Sequence, residues 1–167
     1  MNEIGRVTSY QFCFNFKEST QILKLDLSGE WHISNFDTFM QELNHFTVLE
    51  SLTMRNGKMA LPKTYSDKVK VDLPRLKFLD LSGSFEDCAD AFVSEHLGHY
   101  HLPSLTLFKF NDNSLTQLGL TSLLSLQNLK WLKILSVANN KIKKFESPLQ
   151  NVEIEEIQNA RKNFMHL

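Results

Sequence analysis

The hydrophobic positions of this chain fall into one short phrase that returns at nearly constant spacing. It reads Ile22-Leu23-Lys24-Leu25-Asp26-Leu27, Leu49-Glu50-Ser51-Leu52-Thr53-Met54 and Leu76-Lys77-Phe78-Leu79-Asp80-Leu81. It returns as Leu105-Thr106-Leu107-Phe108-Lys109-Phe110 and Leu132-Lys133-Ile134-Leu135-Ser136-Val137. Each copy has the form apolar-x-x-apolar-x-apolar, and the starts at 22, 49, 76, 105 and 132 are separated by 27, 27, 29 and 27 residues. A fixed period of this length predicts one strand per unit, with units stacked so that neighbours bury each other's apolar face. Within a strand, side chains alternate between faces. Positions four and six therefore point into the core, the first position enters the strand, and positions three, five and seven point outward.

The connectors are of two kinds. Residues Ile33 to Phe46 carry Phe36, Phe39, Met40 and Leu43 at helical spacing, with Ser34 and Asp37 placed as an N-cap pair. Phe85 to Leu97 repeats the pattern with Phe85, Ala89, Phe92, Val93 and Leu97, between Ser84 and Asp87 as cap residues. Both predict helices packed against the strands. Asn56 to Leu73 instead holds Pro62 and scattered lysines, with Pro74 following, which predicts an irregular loop.

At the start, Tyr10, Phe12, Phe14 and Phe16 alternate with polar residues, which makes residues 1–20 an N-terminal cap strand. At the finish, Asn140, Ile142 and Phe145 follow a shorter pattern, and a step of 22 residues from Leu132 reaches Ile154. Ile157, Phe164 and Leu167 then fall in phase, giving a sixth unit that stops partway, as expected of part of a longer protein or a truncated paralogue. The competing reading is a terminal amphipathic helix from Val152 to Phe164, with its glutamates first and Arg161 and Lys162 last. Either way, residues 1–167 read as a single domain with units starting near 22, 49, 76, 105, 132 and, on the first reading, 154.

Over about residues 20 to 167 the chain resembles the leucine-rich repeat family, whose motif is Leu-x-x-Leu-x-Leu-x-x-Asn. The resemblance implies an α/β solenoid with a parallel β-sheet on the concave face and helices and loops on the convex face. It mixes long units of 27–29 residues with a short class of about 22. The family's ninth-position asparagine, which bonds to the backbone of neighbouring turns, is met at Asn113 and Asn140. Glu30, Gly57 and Ser84 replace it in the first three copies, so the asparagine ladder is expected to break in the N-terminal half.

Composition narrows the function classes. A net charge of −1 gives no field to draw nucleic acid or an anionic membrane, and no basic stripe is present. With 42% hydrophobic and 22% charged residues, disorder as the global state is excluded. Cys13 and Cys88 make no metal or redox spacing and read as small hydrophobes. The first residues lack a signal-peptide layout, no apolar run reaches bilayer length, and no Asn-x-Ser/Thr acceptor occurs. A cytoplasmic protein is expected, with a fragment of an extracellular receptor as the alternative.

Function is expected on the outward strand positions, the contact surface that the resemblance implies. A solvent-facing position has no folding reason to be apolar, so Phe78, Leu107 and Ile134 on adjacent units stand out. With Asp80, Lys109, Arg55 and Asn111 as a polar rim, they make the expected site for a protein partner. Neither nucleic acid nor membrane is expected as a partner. A receptor, sensor or ubiquitin-ligase substrate arm, of which this chain is the recognition part, is the related alternative.

His96, His99 and His101 suggest a different class, a metal-dependent enzyme. However, a helix end, a Gly turn and an extended segment intervene between them, which predicts a solvated loop. There is no phosphate loop, nucleophile elbow or His-Glu-x-x-His motif, so neither a cofactor nor an enzyme is expected.

Overall fold

A computed structural model describes residues 21–29 and 32–143. The N-terminal cap strand, Glu30 and the alternatives for the tail lie outside these residues. The described chain forms strands β1 (Lys24–Asp26), β2 (His32–Ile33), β3 (Ser51–Thr53), β4 (Lys58–Met59), β5 (Phe78–Asp80), β6 (Leu107–Lys109) and β7 (Ile134–Ser136). Its α-helices are α1 (Phe36–Glu42), α2 (Ala89–Ala91) and α3 (Gln117–Ser125). The protein is α/β, and its main sheet has five strands in the order β1-β3-β5-β6-β7, every pair parallel. The sequence period sets the register. Lys24 lies opposite Ser51, Ser51 opposite Phe78, Phe78 opposite Leu107, and Leu107 opposite Ile134. The short strands β2 and β4 form a second parallel pair at the edge of the connectors.

Inward positions behave as the alternation requires. Leu52, Met54, Leu79, Leu81, Phe108, Phe110, Leu135 and Val137 are all buried, as are the entering residues Leu49, Leu76, Leu105 and Leu132. In the first unit Leu27 is buried, whereas Leu25 and Ile22 are only partly covered. Behind the sheet, Phe36 meets Phe85 edge-on at 5.0 Å and Phe92 at 5.6 Å, while Phe85 stacks on Phe92 at 4.4 Å. The first and third connectors are thus in direct contact. The second connector, Asn56 to Leu73, holds no helix, as the prolines predicted, and its only strand is β4. Edge-on and offset ring pairs of this kind add about 0.5–1.5 kcal/mol each beyond area burial.

The helix caps depart from expectation. The cap of α1 is Asn35, whose side chain accepts from Thr38 N at 3.1 Å, in place of Ser34. Asp37, expected to share that cap, is wholly buried. The third connector starts its helix at Ala89, with Cys88 at the cap position and no side-chain cap bond, so Ser84 and Asp87 do not cap it. It runs on as a π-helical segment, Phe92–His96, and a 3₁₀ turn, Leu97–His99. Helix α3 was not foreseen. Thr116 caps it by accepting from Leu118 N at 3.2 Å, and Gly119 lets it lie against α2. A Cβ at Gly119 would fall 2.1 Å from Asp90 Oδ1, the carboxylate oxygen that accepts from Thr116 N at 2.8 Å.

The asparagine ladder extends one unit further than expected. Asn113 Oδ1 accepts from Ser84 N at 2.8 Å and Phe85 N at 2.7 Å, and its Nδ2 donates to the Leu81 carbonyl at 3.0 Å. Asn140 repeats this against Asn113 N (3.1 Å), Leu115 N (2.8 Å) and the Phe110 carbonyl (2.8 Å). Ser84 does a reduced version of the same work. Its hydroxyl accepts from Gly57 N at 3.3 Å and donates to the Met54 carbonyl at 2.7 Å. A hydroxyl can donate once and accept at its lone pairs, so it substitutes for the amide with fewer bonds. The ladder stops at Gly57, which has no side chain to offer.

Candidate functional site

The solvent face of the main sheet is built from the outward positions of the five strands. Phe78, Leu107 and Ile134 stand side by side in one row, each partly open to solvent, with Ser51 and Lys24 continuing the row. Neighbouring parallel strands lie about 4.8 Å apart, so the three apolar side chains span roughly 10 Å. They cannot contribute to the core, which lies on the other face. The pattern therefore brings together the apolar strip read from the sequence.

The polar rim is less uniform than the sequence suggests. Lys109 lies on the strand of Leu107, two residues on and so on the same face, and makes no ion pair among the described residues. Asp80 is corrected: it is wholly buried rather than available at the rim. Arg55 lies over it, with Nε at 2.7 Å and Nη2 at 2.6 Å from Oδ2, while Ser82 donates from both backbone N (3.1 Å) and Oγ (2.7 Å) to Oδ1. Both carboxylate oxygens are thereby occupied. Sequence alternation located the residue on the correct face but could not show that the long guanidinium of the preceding unit would cover it. Arg55 keeps 49% of its side chain exposed, and the two contacts use two of its five N–H donors.

Asn111 is also partly committed to the scaffold. Its Oδ1 accepts from Ser136 Oγ and Ala138 N, both at 2.8 Å. The seventh positions form a second, shorter ladder in this way: Ser28 Oγ accepts from Arg55 N and Ser82 Oγ from Asn111 N, each at 3.3 Å. At the first strand, the Ser28 bonds and then the Arg55 charge hold the Asp26 carboxyl below its ordinary range. Glu50, paired with Lys77 at 2.9 Å, is lowered by that contact as well. The acids of this face and its edge are thus already engaged, while the cations keep open donors.

The three histidines separate. His96 is corrected from a solvated position to the interior, where its Nδ1 donates to Asp37 Oδ2 at 2.7 Å. Tyr100 donates its hydroxyl to the other oxygen, Asp37 Oδ1, at 2.7 Å. Burial, and after it the Asp37 charge, pushes the Tyr100 phenol far above its ordinary value, so it remains a donor. His99 lies on the surface, stacked on Tyr65 at 4.3 Å with the rings nearly parallel. His101 is exposed, and its backbone pairs with the second connector through Val71 and Leu73. Among the described residues no group of three or more His, Cys, Asp or Glu side chains is placed to hold a metal ion.

This buried cluster is the feature that the sequence hid most fully, since Asp37 reads as a helix cap and His96 as part of a polar loop. It joins α1 to the third connector, the same two elements that the phenylalanines join. A cleft of about 710 Å³ opens beside it, bordered by Met59, Leu61, Cys88, Glu95 and His96. Burial and then the Asp87 charge push the Cys88 thiol up, away from the thiolate that a nucleophile requires. Among the described residues no helix is long and apolar enough to cross a membrane.

No protein-family model matches the sequence, and no curated protein matches it.

Proposed function

We propose that the chain is a leucine-rich repeat solenoid acting as a protein–protein interaction module, with its partner seated on the concave face of the sheet. The observation that carries this reading is the row of Phe78, Leu107 and Ile134 in register on three adjacent strands, partly open to solvent on the face away from the core. Five parallel strands in sequence order, aligned by the repeat period and tied by side-chain ladders, support the solenoid. A rigid sheet presenting a few apolar anchors with polar neighbours is how recognition surfaces concentrate binding energy. The elevated Cys88 thiol and the divergence of the histidines favour recognition over catalysis. The same face serves equally if these residues are the recognition part of a larger receptor, sensor or ligase arm. A reducing, cytoplasmic setting suits the unpaired Cys88.

The test is recovery of partners from an extract of the native cell by tagged wild-type protein and by the double variant Phe78→Asp, Leu107→Asp. Quantitative mass spectrometry should show a specific set of proteins lost with the variant, while its circular dichroism spectrum and melting temperature stay near wild type. Equal recovery by both proteins would exclude the strip as the site.

A further inference from the structure

The geometry of the strip points to the kind of partner it takes, and we infer that the occupant is an amphipathic helix with acidic residues along one side of its apolar stripe. This inference rests on the recognition reading above and adds the chemistry of the ligand.

Spacing supplies the first argument. The three anchors recur once per strand, at about 0, 4.8 and 9.6 Å along the row. A helix rises about 1.5 Å per residue, so apolar side chains at i, i+3 or i+4, and i+7 recur near 0, 5 and 10.5 Å. In an extended segment, same-face side chains recur every 6.6–6.8 Å or so, which overshoots the third anchor by about 4 Å. A helix lying across the strands matches the row; an extended peptide does not. Helices in apolar grooves are read through this i, i+3/i+4, i+7 set.

Charge supplies the second. On this face Asp80 is buried beneath Arg55 and bonded by Ser82, and Asp26 is held by Ser28, so their carboxylates are engaged within the scaffold. Lys109 enters no ion pair among the described residues, and Arg55 retains exposed N–H donors. Both lie on the same flank of the strip, downstream of the apolar row along the strand direction. Arg55 enters from the unit of β3, but its guanidinium lies over Asp80 on β5, opposite Lys109 on the adjacent strand β6, so the two cations stand one strand step, about 4.8 Å, apart along the row. Two carboxylates three or four residues apart on a helix are separated by about 4.5–6 Å, which suits that pair. Electrostatic complementarity of this kind sets partner choice and orientation more than raw affinity.

The test uses synthetic, fluorescently labelled helical peptides and the full chain, read by anisotropy. One peptide carries Leu at i, i+4 and i+7 with Glu along one flank; a second replaces Glu by Lys; a third has the first peptide's composition in alternating order. The acidic helix should bind at least about ten-fold tighter than either control, weaken with added salt, and lose binding with Phe78→Asp. Lys109→Glu, on an outward side chain with no ion pair among the described residues, should keep the fold and shift the preference toward the Lys peptide. Equal or better binding of the Lys or alternating peptide, or acidic binding indifferent to Phe78→Asp, overturns the inference. If none of the peptides engages the strip while extract proteins still depend on Phe78 and Leu107, the helical, acidic ligand is refuted and the recognition reading stands. If recovery from extract is also indifferent to those residues, both fall.

Discussion

Replacing Asn113 by Ala should destabilise the protein more than any other single polar deletion on the ladder. The side chain is wholly buried and serves three backbone groups at once: Ser84 N at 2.8 Å, Phe85 N at 2.7 Å and the Leu81 carbonyl at 3.0 Å. A buried polar group left without its partner costs about 1–3 kcal/mol. Because one oxygen serves both N–H groups, the loss is taken as about two full bonds and part of a third, roughly 4 kcal/mol. That is a large share of the ~5–15 kcal/mol that holds an ordinary domain together. Ser84→Ala removes one long contact to Gly57 N and one carbonyl partner at Met54, so about 1–2 kcal/mol is expected. Urea denaturation followed by circular dichroism and by tryptophan fluorescence gives both free energies. Amide hydrogen exchange gives the local signature, a selective loss of protection at Ser84 and Phe85 in the Asn113 variant. A Ser84→Ala loss equal to or above that of Asn113→Ala, or unchanged protection at those two amides, would refute the reasoning.

Three further outcomes follow from the interior. Asp37→Ala strands the His96 ring and the Tyr100 hydroxyl in a dry site and should lower stability by about 3–5 kcal/mol by urea denaturation; a loss below about 1 kcal/mol would mean that the cluster is wetted. The Tyr100 phenol stays protonated in the fold well above the pH at which an unfolded tyrosine ionises. Its contribution is therefore complete below about pH 10 and should fall by up to about 1.4 kcal/mol per pH unit above it. Melting temperatures from pH 8 to 11.5 should show that alkaline decline, and Tyr100→Phe should flatten it from a lower starting stability. Gly119→Ala should cost about 1–3 kcal/mol, because the new Cβ displaces Asp90 and loosens the cap of α3; an unchanged melting temperature would show that α3 shifts freely.

The parts of the fold that depend on period were legible in the sequence. Strand positions, the parallel register and the inward–outward division all follow from a phrase such as Leu76-Lys77-Phe78-Leu79-Asp80-Leu81, because side-chain alternation and unit length are local properties. The apolar strip was legible for the same reason. What could not be read depends on meetings between distant residues. Asp37 has the position of a cap residue, and only the direct packing of the first and third connectors brings His96 and Tyr100 onto it from 59 and 63 residues away. Ser84 breaks the asparagine consensus, yet its hydroxyl reaches the same backbone groups that an amide would. Asp80 reads as an exposed acid until Arg55, in the preceding unit, folds over it. Helix α3 was hidden by Gly119, a poor helix residue chosen by the neighbour it must approach.

The helix-free second connector has a consequence for shape. Strands are about 4.8 Å apart, whereas packed helices need about 8–10 Å. Helices α1 and α2 belong to connectors two strand steps apart, about 9.6 Å, so that stretch can stack with little bending. Helices α2 and α3 follow consecutive strands, so a solenoid of the proposed kind would have to fan its units apart at the back there, eased by the close approach that Gly119 permits. In such a solenoid this would concentrate curvature around β6, the strand on which Leu107 stands between Phe78 and Ile134. On the proposed recognition reading, the opening of the strip would then be set from behind, and a substitution at the α2–α3 contact is expected to change binding without touching a residue that meets the ligand.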